Sequence, residues 1–475
     1  MQLQTLFAEV LPNNRLPAQQ VTSVTCDSRQ VQKGSVFVCI RGTLGDGHNY
    51  VAQALQRGAV FVVAQQDCKI PNQLLVEDTR RVYSQLCAAF FGYPARKMQL
   101  LALTGTNGKT TSAWMLHHAL GHLGIKAGLI GTICNRIGES LTLPARYTTP
   151  DAWELQQLLA MMFEQGCTHV VMEVSSHALM QHRVEGITFA EGIFTNLTED
   201  HLDYHGTMER YCDAKAKLFH ASRGAVCNAD DPWTERMLRG VTCPVTRYGL
   251  QNPADLWAEG ITLQERGVTF AACTARECIP VRLGVPGRFS VYNALGAMAA
   301  CRQLGIPLAD SAAALAVFPG VKGRMEVVAT PGKPYTLLID YAHTPDALEN
   351  VLKTVRGFAG GRVIAVFGCG GDRDPFKRPI MGRIGAELAD LSVVTSDNPR
   401  TEDPMAIIDA IVAGMQEGPH PHVVIENRVE AIEWALAHAE KDDVIVLCGK
   451  GHETYQEIGH EKRHLDEREV VASYL

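Results

Sequence analysis

Three observations predict an α/β fold in three domains with largely parallel sheets. Short apolar runs alternate with stretches of helical periodicity, the pattern of strands covered by helices. Several of those runs stop in glycines, acids or a histidine, and open α/β sheets hold their ligands beyond the carboxyl ends of the strands. The chain has 475 residues, more than one ordinary core supports, so roughly two to four domains are expected. Composition and motif positions place them at 1–90, 91–320 and 321–475.

The first block carries the β-rich runs "SVFVCI" and "AVFVVAQ" with the helical stretch "NYVAQALQRG" between them, a small α/β domain. The second opens at "MQLLALTGTNGKTTSAWMLHHALGHLG", where an apolar run enters a glycine loop and helical periodicity begins directly after Lys109. Buried strands are expected at "THVVMEV" and "EGIFTNL", and "FPGVKGRMEVV" reads as a hinge near Pro319. In the third block "YTLLIDY", a helix from Pro345, "RVIAVFGCGG", a helix through "MGRIGAELA", "LSVVTSD", "HVVIEN" and "DVIVLCGKG" predict a Rossmann-like domain.

Composition excludes several classes. The chain is 46% hydrophobic and 20% charged, as globular proteins are, with no apolar run of about 18 residues that could span a membrane. A net charge of −7 and a pI near 6.2 lack the basic footprint of nucleic-acid binding. No export signal is evident at the N-terminus. The 14 cysteines form no zinc-like pairs, and those such as Cys26, Cys39, Cys134 and Cys369 read as free thiols in a reducing cytoplasm.

The chemistry starts at "TGTNGKTT". A standard phosphate loop would place its first glycine at Leu103; here it comes late, at Gly105. The backbone amides of Gly105, Thr106, Asn107 and Gly108, at a helix N-terminus, suit an anion. Lys109 can reach a terminal phosphate, and Thr110 can ligand Mg²⁺. Glu173, ending the apolar run of "VVMEVSSH", is a second Mg²⁺ candidate. "TNLTEDHLDYHG" carries His201, Asp203 and His205, which suit a metal or a general base, while Thr198 or Asp200 could equally cap a helix. Nothing in the residue chemistry chooses Lys215 over Lys217. In the third block Asp340 and His343 fall at a strand end before Pro345. The arginines of "GGDRDPFKRP" and "SDNPRTEDP" suit bidentate grip of a carboxylate, which points to an acidic small-molecule substrate.

TGTNGKTT, MEVSSHAL, TNLTEDHLDYHG, DYAHTPDAL, FGCGGDRD, SDNPRTEDP and GKGHETYQ, in this order, closely resemble the Mur ligases of bacterial cell-wall synthesis. Within them the match is to the type that joins meso-diaminopimelate to UDP-N-acetylmuramoyl-L-alanyl-D-glutamate. It spans nearly the whole chain, including TCDSRQVQKGSVFVCIRG. The resemblance implies a uridine-binding N-terminal domain with Ser28, Arg29 and the loop after Gly42 near the UDP, a central P-loop-type ATP-binding domain, and a C-terminal domain that takes the amino acid. It assigns ATP to Gly105 through Thr111, with Asn293, Arg324, Asp340 and His343 holding adenine, ribose or phosphates. Thr148, Thr149, Ser175, Gln181 and Arg183 match contacts to the UDP-muramoyl substrate.

Lys215 matches a lysine carbamylated in the family, and with Thr110, Glu173 and His201 it is implied to hold Mg²⁺. Lys109, Glu173, His201, Lys215 and His343 form the implied catalytic set. Arg373, Asp397, Asn398, Pro399, Arg400, Gly449 and Glu453 match the diaminopimelate contacts, Arg400 facing the second carboxylate. The implied reaction activates the D-glutamate γ-carboxylate as an acyl phosphate, which the amine then attacks. A folylpolyglutamate synthetase and a slow nucleotide switch are the competing readings; neither requires the uridine domain or the arginine-rich third block. A cytoplasmic monomer is expected.

Overall fold

The computed structural model describes residues 1–12, 16–42, 45–138, 141–416 and 418–475. The chain divides into two compact units, one of residues 1–256 and 295–310, the other of 257–294 and 311–475.

The first unit begins with a parallel four-stranded sheet, Ser23–Thr25, Ser35–Val38, Phe61–Ala64 and Gln73–Leu75 in chain order. Alternation decides its faces. Val36, Val38, Phe61 and Val63 pack with Leu3, Leu6 and Leu86 on one side, and Phe37, Val62 and Ala64 pack with Val51 and Ala54 on the other. The helix Thr79–Phe90 starts where Asp78 accepts from the Arg80 and Arg81 amides.

The second sheet of this unit runs Val245–Gly249, Ala225–Asn228, Glu191–Phe194, Gln99–Thr104, His169–Glu173 and Ala127–Ile130, all parallel. An antiparallel extension, Cys134–Ile137 and Leu141–Pro144, follows. From Gln99–Thr104 the chain lays its next parallel strands on one side, then crosses to Glu191–Phe194 on the other. Strand order therefore reverses at Gln99–Thr104, the position at which such sheets open a crevice.

In the second unit, the antiparallel strands Leu256–Gln264, Gly267–Cys273 and Cys278–Leu283 depart from the largely parallel expectation. The buried, small-residue strand Gly267–Cys273 and the largely exposed strand Cys278–Leu283 share no common pattern that would mark them in the sequence. Cys273 and Cys278 are register partners in this hairpin and form a disulfide, which corrects the expectation of free thiols at that pair; the others are free. A six-stranded sheet runs Glu326–Val328, Thr336–Asp340, Val444–Cys448, Val363–Phe367, Leu391–Val394 and His422–Val424, parallel except for its first strand. The helix expected from Pro345 runs Pro345–Arg356, with Thr344 as its cap.

Arg428 is fully buried at the start of the helix Arg428–His438. Its Nε donates to Glu467 Oε1 at 2.9 Å, and Nη2 donates to the Cys448 carbonyl at 2.7 Å. It thereby ties the last helix to the end of a central strand. Removing one partner of such a pair strands a buried charge. Arg428→Met should therefore lower unfolding free energy by about 3–5 kcal/mol, read from urea denaturation.

Glu191 starts its strand almost wholly buried, and its Oε2 has no hydrogen-bond partner among the described residues. Burial pushes its carboxyl up to about 8, so the folded chain keeps a proton that the unfolded chain releases near pH 4.5. Stability from this group is full below that pH and is lost as pH rises to about 8. Glu191→Gln should flatten this slope and raise stability at pH 8 by an amount on the order of a few kcal/mol, checked by denaturation across pH.

Candidate active site

The strand Gln99–Thr104 enters the loop Gly105–Gly108, and the helix Lys109–His122 follows directly, as the sequence predicts. Gly105 has φ +150°, and a Cβ there would lie 1.9 Å from Thr195 Oγ1, so glycine is required. The segment after Glu191–Phe194 straps this loop. The Thr106 and Asn107 amides donate to Asn196 O at 2.8 Å and to Asn196 Oδ1 at 2.9 Å. Thr195 Oγ1 donates to Asn107 O at 2.6 Å. Two of the four amides expected to cradle an anion are thus engaged by protein, leaving that role to the helix start. Thr198 serves the strap, accepting from Asn107 Nδ2 at 3.3 Å, and is not a side-chain helix cap.

Glu173 ends the neighbouring strand, almost wholly buried. Thr110 Oγ1 donates to its Oε2 at 2.9 Å, Thr132 Oγ1 to the same oxygen at 3.0 Å, and the Thr132 amide to Oε1 at 3.0 Å. A Cβ on Gly131 would sit 2.4 Å from Oε1. Neither Gly131 nor Thr132 was singled out in the sequence, although "GTI" directly follows an apolar strand. Thr149 Oγ1 donates to Glu173 O at 3.0 Å, and Thr132 and Thr148 share a hydroxyl contact at 3.1 Å. Arg183 donates to the Thr149 carbonyl at 2.8 Å and through its fork to Gln181 Oε1, while the Ser175 amide donates to Thr149 Oγ1. Thr148, Thr149, Ser175, Gln181 and Arg183 therefore form one cluster behind Glu173.

The helix Met208–His220 separates the two lysines that chemistry could not. Lys217 is exposed, whereas Lys215 is buried. Lys215 Nζ donates to the Gly105 carbonyl at 2.8 Å and lies 4.6 Å from the centre of the Tyr211 ring. Lys109 donates to the same carbonyl at 2.8 Å and to Thr106 O at 2.8 Å. Burial first, and repulsion from Lys109 second, hold Lys215 well below the usual lysine range.

His201 is exposed, at φ +54°, and its ring meets those of His177 and Tyr211 at 4.9 and 6.1 Å. His205 is buried against Ser176 Oγ at 2.9 Å, and Asp203 is exposed. Burial and the neighbouring cations push His205 down to about 4. His201 and His205 both face the His177 and Tyr211 rings, with His205 buried and His201 and Asp203 exposed. Among the described residues no three His, Cys, Asp or Glu side chains form a metal-binding group. The oxygens of Thr110 and Glu173 suit a hard cation, while Lys215 as an amine does not.

In the N-terminal sheet layer Ser28 Oγ donates to Gln53 Oε1 at 2.8 Å, and Arg29 pairs with Asp27. The loop after Gly42 begins with residues 43 and 44, outside the described residues.

The second unit holds a cavity of about 610 Å³ lined by His343, Arg373, Asp397, Asn398, Arg400, Gly449 and Glu453, together with Tyr341, Phe376, Lys377 and Ile380. Parallel strands deliver these residues from separate parts of the sequence to one edge. Arg400 Nε pairs with Glu457 at 3.0 Å and its Nη1 donates to the Gly371 carbonyl at 2.8 Å, so protein holds one edge of the guanidinium. Pro399 is buried and lies outside the lining. Asp340 also lies outside it, its carboxylate accepting from the Met325 and Ala342 amides at 2.8 and 2.9 Å. Arg324 sits 5.1 Å from the Tyr341 ring centre, and Asn293 is buried on the helix Arg288–Gln303. Burial pushes the His343 imidazole down.

Family models match three stretches of the chain: the Mur ligase family catalytic domain over residues 20–91, the Mur ligase middle domain over 103–301, and the Mur ligase glutamate ligase domain over 323–451. A UDP-N-acetylmuramoyl-L-alanyl-D-glutamate–2,6-diaminopimelate ligase of Clostridium acetobutylicum is 45% identical over 460 residues, 96% of this chain and 95% of the relative. A solved structure of a ligase of that name has a TM-score of 0.75 and 32% identity, covering 100% of this chain and 98% of its own. MurF ligase from Thermotoga maritima in complex with ADP has the same fold at a TM-score of 0.63 and 18% identity, covering 96% and 97%.

The Gly105 geometry yields a direct expectation. Gly105→Ala must displace Thr195 and with it the strap, so ATP-dependent phosphate release should fall about a hundredfold while circular dichroism stays that of a folded chain. Release at the wild-type rate would show that the loop tolerates a side chain.

Proposed function

The chain belongs to the Mur ligase family, and from that premise we propose that it is the ATP-dependent ligase joining meso-diaminopimelate to UDP-N-acetylmuramoyl-L-alanyl-D-glutamate, in cytoplasmic synthesis of peptidoglycan precursors. One observation carries the choice of amino acid. The cavity past the strand ends of the second unit is lined by both acids, Asp397 and Glu453, and arginines, Arg373 and Arg400. An amino-carboxylate end of a diamino-dicarboxylic acid needs both.

A carboxylate is a poor electrophile, so the D-glutamate γ-carboxylate first takes the γ-phosphoryl group of ATP. The amine of diaminopimelate then attacks the acyl phosphate, and phosphate leaves. The start of the helix Lys109–His122 and the Lys109 ammonium would stabilise charge on the transferring group. Thr148, Thr149, Ser175, Gln181 and Arg183 would orient the muramoyl peptide, with Ser28 on the uridine nucleotide. Asn293, Arg324, Asp340 and His343 would serve ATP.

Thr110 and Glu173 would hold Mg²⁺, joined by His201 and by Lys215 as its carbamate; burial disfavours the Lys215 ammonium, which suits this side chain to add carbon dioxide and become an oxygen ligand. Bound there, Mg²⁺ would supply positive charge beside the phosphates.

The test is phosphate release from ATP with the UDP-muramoyl dipeptide present and meso-diaminopimelate or L-lysine added in parallel. Diaminopimelate should stimulate release strongly and lysine weakly, and Arg400→Met should lower kcat/KM for diaminopimelate by about a hundredfold. Equal use of lysine would overturn the role of Arg400. No response to either amino acid would overturn the ligase reading.

A further inference from the structure

We propose that Lys450 is a positioning residue for the incoming diamino acid, fixing the acidic wall of its cavity without touching the ligand. The inference rests on the function proposed above and concerns a side chain that the motif reading passed over between Gly449 and Glu453.

Lys450 has 0% of its surface exposed and does not line the cavity. A lysine buried this completely requires matched partners, and it has three. Its Nζ donates to Asn398 Oδ1 at 2.7 Å and to Glu453 Oε2 at 3.0 Å, and lies 3.5 Å from Asp397 Oδ1. All three partners line the cavity. Asn398 Oδ1 also accepts from the Glu457 amide at 2.9 Å, which turns its Nδ2 toward Glu453 Oε2 at 3.1 Å. Glu453 Oε2 is therefore claimed twice by protein groups, which assigns the other oxygen to the cavity that Glu453 lines.

Charge sharpens the argument. Two carboxylates, Asp397 and Glu453, share the one Lys450 ammonium. Asp397 Oδ1 is buried with no hydrogen-bond partner among the described residues, its distance from Lys450 being that of an ion pair only. An arriving ammonium group is the chemistry such a wall lacks, while Arg373 and Arg400 receive the carboxylate of the same amino-acid end. Without Lys450 the two acids would repel and Asn398 would lose one of the two donors that set its orientation.

The experiment is steady-state phosphate release by the full chain, varying each substrate in turn, for the wild type, Lys450→Met and Lys450→Gln, with folding checked by circular dichroism. Lys450→Met should raise KM for meso-diaminopimelate about tenfold or more, leaving KM for ATP and for the UDP-muramoyl dipeptide unchanged. Lys450→Gln, which keeps a donor and loses the charge, should fall between and carries the test if the methionine variant does not fold. A folded variant with the wild-type KM for diaminopimelate would overturn the proposal, as would equal damage to all three KM values. Failure of both variants to fold would also overturn it, making Lys450 a stability element. A wild-type chain that shows no diaminopimelate-dependent release would instead overturn the underlying function.

Discussion

Parallel strands sealed on both faces can present charge only past their carboxyl ends, and the polar architecture of this chain follows from that constraint. Gln99–Thr104 is buried at every position after its first residue, so its chemistry is deferred to the glycine loop beyond it. Glu173 closes a strand that is buried throughout its last four residues. In the other unit the strands Thr336–Asp340, Val363–Phe367, Leu391–Val394 and Val444–Cys448 likewise deliver His343, Arg373, Asp397 and Glu453 to one cavity through the turns that follow them. The fold and the site are consequences of the same burial.

Strand ends are crowded, and close approach replaces ordinary packing there. Gly105 lets the phosphate loop lie against Thr195, and Gly131 leaves room for the Glu173 carboxylate. The threonines around Glu173 then satisfy it with hydroxyls and an amide, so a buried carboxylate is kept hydrogen-bonded with oxygen ligands at hand.

Two buried lysines show how surroundings decide the use of one side chain. Lys215 is buried, which is the main reason its charge is disfavoured, and the neighbouring cation Lys109 adds to this. Lys450 meets two carboxylates and an amide oxygen, a setting that matches an ammonium. Reactivity suits the first and scaffolding the second, although in the sequence both are lysines with nothing beside them to mark the difference.

The sequence by itself determined the alternation of strands and helices, the short glycine loop with its helix from Lys109, and the strand-end positions of Glu173, Asp340 and Asp397. Those follow from periodicity and from glycine or proline punctuation, which are local. The choice of Lys215 came from resemblance, because helix burial is invisible when Lys215 and Lys217 are two residues apart. The antiparallel hairpin that pairs Cys273 with Cys278 was not legible either, since the buried, small-residue strand Gly267–Cys273 and the largely exposed strand Cys278–Leu283 share no common pattern. Tertiary structure alone decided that the Thr195–Thr198 strap occupies two loop amides, that His205 is buried while His201 stays exposed, and that Lys450 joins Asp397, Asn398 and Glu453. Each of these depends on which strand ends become neighbours, and parallel pairing sets that across dozens of intervening residues.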